Sequence, residues 1–376
     1  FHKFFFYFFF YNKYIHTHIY QRYKKNQIMV LGKTYLIIPI LFGISLIFYE
    51  QKNLDEFWPD FYDPKERFFG IPVIDNIFAV QISFFRQYLN DPTSVLLNHT
   101  LCPLAMVNIF IIAMEGSIPG VKGLVTYYAL VATISVLVAI SIAVPLIWIP
   151  AWIISENRKQ NSSNPKDVTL NPERVKQICF GVLSTLPFLI GMTIFKQDKL
   201  IVWTVILFVF SFPFAALFWV WYPKGVNPNS VNQNAYELAS KFALILFGIS
   251  FYEWFLVLEH SIDNNFEVLI GTITQIISGV TYPATDFMIV DTWGLIAASA
   301  YWVFVAENAK FNRKFWKFIG QSILCGPGGA LALYVYHRYD GMIENDSKNI
   351  TTNTNYPSSS SNRLKYTIDD ERQPLL

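Results

Sequence analysis

Long apolar runs, separated by short polar stretches, recur along most of this chain. Tyr35 to Phe48, Val95 to Met114, Leu124 to Val144, Ile178 to Phe195, Leu200 to Tyr222, Tyr236 to Leu258, Ala284 onward and Phe318 to His337 make the series. Most approach the ~20 residues that a helix needs to cross a bilayer. The pattern predicts an all-α fold, a polytopic transmembrane helix bundle of about eight spans, within a range of roughly seven to nine. Ile71 to Leu89 differs, because Asp75, Gln81 and Arg86 interrupt it. It reads either as a span facing the bundle interior or as a helix lying in the membrane interface.

Some spans carry punctuation. Leu124 to Val144 is the cleanest, and Pro145 and Pro150 are expected to end it in an aromatic interfacial tail, PLIWIPAWII. Ile178 to Phe195 and Leu200 to Tyr222 read as a tight hairpin turned at Gln197-Asp198. The centre of Glu259 to Pro283, IGTITQIISGV, is too short to cross alone. Phe318 to His337 is interrupted by Cys325-Gly-Pro-Gly-Gly329.

Composition agrees with a membrane protein. Of 376 residues 53% are hydrophobic, 18% aromatic and only 15% charged, with mean hydropathy +0.33; soluble domains carry about 25% charged residues. The net charge of +2 marks no nucleic-acid partner, and no basic helix, finger spacing or stacking motif does so either. Cys102, Cys179 and Cys325 lie in apolar runs without metal or disulfide spacing.

Three regions follow. Residues 1–28 are almost all Phe, Tyr, Lys, Asn, His and Ile, and are expected to be translated upstream sequence preceding Met29. Residues 29–339 form the helix bundle. Residues 340–376, rich in Ser, Thr and Asn, read as a disordered tail.

Charge sets the orientation. Ser155 to Lys176 and Ala309 to Lys317 are basic and are expected in the cytosol, with the acidic Glu259 to Pro283 opposite. Two signals in the tail conflict. Asn345-Asp-Ser347 and Asn349-Ile-Thr351 are glycosylation sequons, useful only outside the cytosol. Glu371-Arg-Gln-Pro-Leu375-Leu376 resembles an acidic dileucine signal for a cytosolic sorting adaptor of the endolysosomal system. A single crossing by Phe318 to His337 puts the tail outside; a re-entrant segment, which the glycines permit, returns it to the cytosol.

The residues that could carry chemistry are acids at membrane depth or at its edge: Asp75, Glu115, Glu253, Asp286 and Asp291, with His99 and Asn108. Carboxylates there are costly and call for a reason. A cavity lined by Asp291, Asp75 and Glu115 could hold a protonated acid that donates to a lipophilic substrate. Trp293, Trp302, Trp254 and His99 would line it, with indole faces shielding a cation. The same acids could instead relay protons or bind a transported cation. As a third reading, they cap helices and sit at the headgroup level. No metalloprotease, esterase, phosphate-loop or paired-histidine motif occurs, so no metal or cofactor is expected. The expected partners are membrane lipids and a lipophilic small molecule.

Gly70-Ile-Pro-Val-Ile-Asp75, Met114-Glu115-Gly116, Asp286 and Asp291 with Trp302, and Gly326-Pro-Gly-Gly-Ala330 ending at His337-Arg338-Tyr339-Asp340 form a combination. It resembles a group of fungal-type multi-pass membrane proteins that includes membrane-bound terpene cyclases of the ascofuranone kind. The resemblance covers most of Gly70 to Asp340. It implies a membrane-embedded cyclase or isomerase that protonates an epoxide or alkene with an acidic residue. The closing Trp-Glu-Arg-Asp-like pattern of that group lacks its glutamate here. The alternatives are a proton-coupled carrier of endolysosomal membranes and a membrane protein without catalysis. Either the endoplasmic reticulum or the endolysosomal system would be the location.

Overall fold

The computed structural model describes residues 34–51, 70–91, 93–118, 123–161, 170–187, 232–263 and 283–354, with a few isolated positions between them. The described elements are all helical: α1 (Thr34–Gln51), α2 (Pro72–Asn90), α3 (Thr93–Ser117), α4 (Tyr128–Val138), α5 (Ile140–Ala143), α6 (Ile149–Asn161), α7 (Pro172–Leu183), α8 (Asn232–Asp263), α9 (Pro283–Ala306) and α10 (Arg313–Thr354). Among the described residues, six helical stretches are long and apolar enough to cross a membrane, counting Ile140–Asn157 and Arg313–Ile343 as one each. The chain is a multi-pass membrane protein. Residues 1–28, the Ile178–Tyr222 hairpin beyond Pro187 and most of the segment IGTITQIISGV lie outside the described residues.

The bundle is built around α3, whose stretch Val107 to Met114 is almost wholly buried. Its neighbours have defined directions. Thr285 Oγ1 donates to Asp91 Oδ2 (2.8 Å) beside the start of α3, and Asn108 Nδ2 donates to Ser299 Oγ (3.0 Å) further along, so α3 and α9 run parallel. Along α8 the order reverses: Glu253 meets His99, and Phe242 packs on Phe110 at 5.1 Å. α1 runs against α9. Tyr49 Oη donates to Asp286 Oδ2 (3.1 Å) at one end, and Tyr301 Oη donates to the Tyr35 carbonyl (2.8 Å) near the other. The bundle therefore has an Asp91 end and a Glu115 end.

The expected clean span Leu124 to Val144 is split. Beside Gly116, Val125 and Tyr128 sit so close that a Cβ there would lie 2.3 Å from the Val125 carbonyl. From this start at the Glu115 end, α4 runs toward the Asp91 end and stops at Ala139, whose φ is 130°. The chain then reverses through α5, a π-helical turn Val144–Trp148, and α6. Trp152 is thereby returned to Glu115. The outward leg from Leu124 covers only about 20 Å, against ~30 Å for the hydrocarbon. The two prolines do not break the returning leg. Pro145 is absorbed in the π turn and Pro150 in the first turn of α6, where backbone mismatch is tolerated. Trp148, Ile149 and Trp152 are buried in the bundle, which corrects the expectation of an interfacial aromatic tail.

α10 folds back as well. Gly326 has φ 75° and breaks the helix. Lys317 Nζ lies 3.2 Å from His337 Nε2, and the Phe318 and Tyr334 rings are 6.5 Å apart. Residues on either side of Gly326 thus stand side by side. The apolar part of the outward leg, Phe318 to Cys325, is about 12 Å long and cannot cross. The bend is fixed by close packing: a Cβ at Gly326 would lie 2.9 Å from the Trp254 ring, and one at Gly328 would lie 3.0 Å from the Leu104 amide nitrogen. The helix then continues to Thr354, past the expected boundary at Asp340. Both broken segments start and finish at the Glu115 end.

Candidate functional site

Polar groups enter the bundle in separate layers. At the Asp91 end, one carboxylate ties two helix starts together. Asp91 Oδ1 accepts from the Thr93 backbone N–H (2.8 Å) and hydroxyl (2.6 Å), while Oδ2 accepts from Thr285. Gln87 Oε1 adds a cap by accepting from the Ala284 N–H at 3.1 Å. Capping by such side chains satisfies amide donors that a helix start leaves open.

Deeper in, His99 Nδ1 pairs with Glu253 Oε2 across the α3–α8 contact. One position before it, Asn98 Oδ1 accepts from the fully buried Tyr88 hydroxyl at 2.8 Å. Asp291 occupies the same half. Its Oδ1 accepts from the Ser141 N–H at 3.0 Å, two residues past the reversal at Ala139. The break at Ala139 opens backbone donors at the start of α5, and Asp291 satisfies one of them. Gly294, one turn further along α9, lets Ser141 approach: a Cβ there would lie 2.9 Å from that of Ser141.

A single hydrogen-bonded pair, Asn108 with Ser299, forms the middle layer. The Glu115 end is then closed by a denser cluster. Glu115 is 1% exposed, accepting from Trp152 Nε1 (2.9 Å) and from Arg338 Nε (3.2 Å). The Arg338 guanidinium lies 5.9 Å from the Trp152 ring centroid and 5.8 Å from that of Trp302, within cation–π range. Trp302 also packs on Trp148 (5.7 Å) and Tyr334 (5.7 Å). The Tyr334 hydroxyl donates to Glu307 Oε1 (3.0 Å), 3.6 Å from Lys314 Nζ. One carboxylate therefore holds the returning legs of both reversed segments.

Of the residues expected to form one acid-lined cavity, the structure gathers few. Asp291 and His99 share the Asp91 half, whereas Glu115 and Trp302 belong to the opposite end. On α9, Asp291 and Trp302 are about 16 Å apart along the axis. Asp75 is buried on α2, near the start of that helix. Trp293 is 52% exposed on the outer surface, away from Asp291, and so does not line an interior cavity. Trp254 packs over Gly326 at the α10 reversal.

Sequence reasoning did not single out Asp91, Ser141, Trp152 or Arg338 as site residues. Asp91 had a legible signal, since Asp91-Pro-Thr93 is cap chemistry at a helix start. Among the described residues, no group of three or more His, Cys, Asp or Glu could hold a metal ion. The chain matches no family model, no curated protein and no solved structure.

Proposed function

We propose that this multi-pass membrane protein is a proton-coupled carrier in which the part-buried His99–Glu253 pair exchanges the proton. The observation that carries the reading is the pair of interrupted segments, reversed at Ala139 and Gly326 and entering from one end. Carriers use broken helices of this kind around buried binding groups, because irregular backbone at membrane depth is tolerated only inside protein. The layered polar groups from Asp91 through His99–Glu253 and Asn108–Ser299 to Glu115–Arg338 support a path between the two ends. In this reading Glu115–Arg338 closes one end. A cyclase-like enzyme needs its acids at one apolar pocket, and Glu115, already bound by Arg338 and Trp152, stands well away from Asp291.

Orientation and location belong to the same proposal. Lys310, Arg313, Lys314 and Lys317 are exposed at the Glu115 end, so the positive-inside rule makes that end cytosolic. The fold-back at Gly326 brings the chain beyond Tyr339 to the same end. Glu371, Leu375 and Leu376 would then be available to a sorting adaptor, consistent with an endolysosomal membrane.

The test is proton flux. Purified protein is reconstituted into vesicles containing pyranine, and a potassium diffusion potential is imposed with valinomycin. Wild-type protein is expected to acidify the lumen, and Glu253→Gln to lower that rate at least tenfold. A folded, helical wild-type protein with no flux above empty vesicles would overturn the proposal, as would an unchanged rate in Glu253→Gln.

A further inference from the structure

The outward leg of α10 presents one outer stripe with an unusual order of side chains. Arg313 and Lys317 are exposed in its first turns, with Trp316 between them. Gly320 follows one turn on, and a Cβ built there meets nothing within 4 Å. Ile323 and Leu324 come next and are 72% and 71% exposed. The opposite face is different, since Phe315 and Phe318 turn inward and are buried. These positions recur at helical spacing, so the stripe is continuous: cations, a notch one side chain wide, then aliphatic surface.

We propose that this stripe binds one anionic glycerophospholipid, with its phosphate at Arg313 and Lys317, its glycerol over Gly320 and an acyl chain along Ile323 and Leu324. Two features argue for a lipid. Arg313 to Leu324 spans about 16 Å, close to half of the ~30 Å hydrocarbon thickness. Charge also falls where it should: the cations are grouped at the base of the leg, and the fully exposed residues between Gly320 and Gly326 are Ile323 and Leu324. Basic residues at the membrane edge attract anionic headgroups. His337 Nε2 accepts from the Lys317 ammonium at 3.2 Å, which holds that cation at the base of the leg. A Cβ at 320 has open space around it, and a larger side chain there would cover the surface between Trp316 and Leu324 on which the glycerol is placed.

Native mass spectrometry of the full-length protein released from micelles tests this, with dioleoylphosphatidylserine and dioleoylphosphatidylcholine as probes. Wild-type protein is expected to retain the serine lipid at least tenfold more than the choline lipid. Arg313→Gln with Lys317→Gln should abolish that preference. Gly320→Leu should lower retention of the serine lipid while leaving every charge in place, and leucine is a good helix former, so the helix should persist. Equal retention of both lipids would overturn the proposal, as would unchanged preference in the charge variant. Equal competition by soluble glycerophosphoserine would overturn it in favour of a headgroup site alone. A lipid-free dimer that Gly320→Leu dissociates would overturn it in favour of a second copy on this face.

Discussion

Glu115 and Arg338, 223 positions apart in sequence, form a buried ion pair that joins the end of α3 to the returning leg of α10. Trp152 donates to the same carboxylate from the returning leg of the first reversed segment. The fold thus closes its Glu115 end on one acid. Removing one partner of such a pair leaves a buried charge without its counterpart and costs about 3–5 kcal/mol. Glu115→Gln and Arg338→Met are each expected to lower the unfolding temperature in detergent. Glu115→Met with Arg338→Met should lose less than the sum of the two singles. Additive losses would show that the pair is not energetically coupled.

Gly326 is the second point of vulnerability. Its φ of 75° suits glycine, and Trp254 occupies the space that a Cβ would need. Gly326→Ala should destabilise by about 2 kcal/mol through left-handed strain and contact with the indole. Trp254→Ala in the same chain should recover part of the loss, because only the contact is relieved. Thermal melts of the single and double variants check this.

Asp291 divides the structural and functional readings. Its described bond is to the Ser141 N–H, and an asparagine oxygen can accept that bond equally well. Asp291→Asn is expected to keep folded yield and vesicle proton flux within about twofold of wild type, whereas Asp291→Leu should lose about 1–2 kcal/mol with the cap. A collapse of flux in Asp291→Asn with unchanged stability would place Asp291 in the proton path instead.

The reversal at Gly326 sets the side of the tail. Asn345 and Asn349 follow the returning leg, so neither sequon should carry a glycan. Glycosidase treatment should leave the band unmoved, while a sequon inserted between residues 264 and 282 should shift it. A shift of the unaltered protein would put the tail outside.

Much of this fold was legible as pattern. Runs such as Val95–Met114 and Tyr236–Leu258 announce themselves by length and hydropathy, and Cys325-Gly-Pro-Gly-Gly329 announces a break. The reversal at Ala139 did not. Residues from Leu124 to Val144 carry no charge, and neither glycine nor proline marks the turn. What holds that turn is Asp291, which is distant in sequence. Glu115 was visible as an acid at the end of an apolar run, but its partners Arg338 and Trp152 come from other segments, and only packing brings them together. Glu115 and Asp291, expected in one cavity, stand at different depths for a related reason. Hydropathy gives the depth of a residue poorly, and the parallel course of α3 and α9 puts Glu115 beside Trp302 and not beside Asp291.

The fold-back of α10 is the central claim, since orientation, the closed end and the lipid stripe all depend on it. Spin labels at Lys317→Cys and His337→Cys, in protein reconstituted in lipid, measure it directly by pulsed dipolar spectroscopy. Side-by-side legs predict a label separation below about 20 Å, allowing for label length, where a continuous helix of that span would give about 30 Å. A distribution centred near the longer distance would contradict the account.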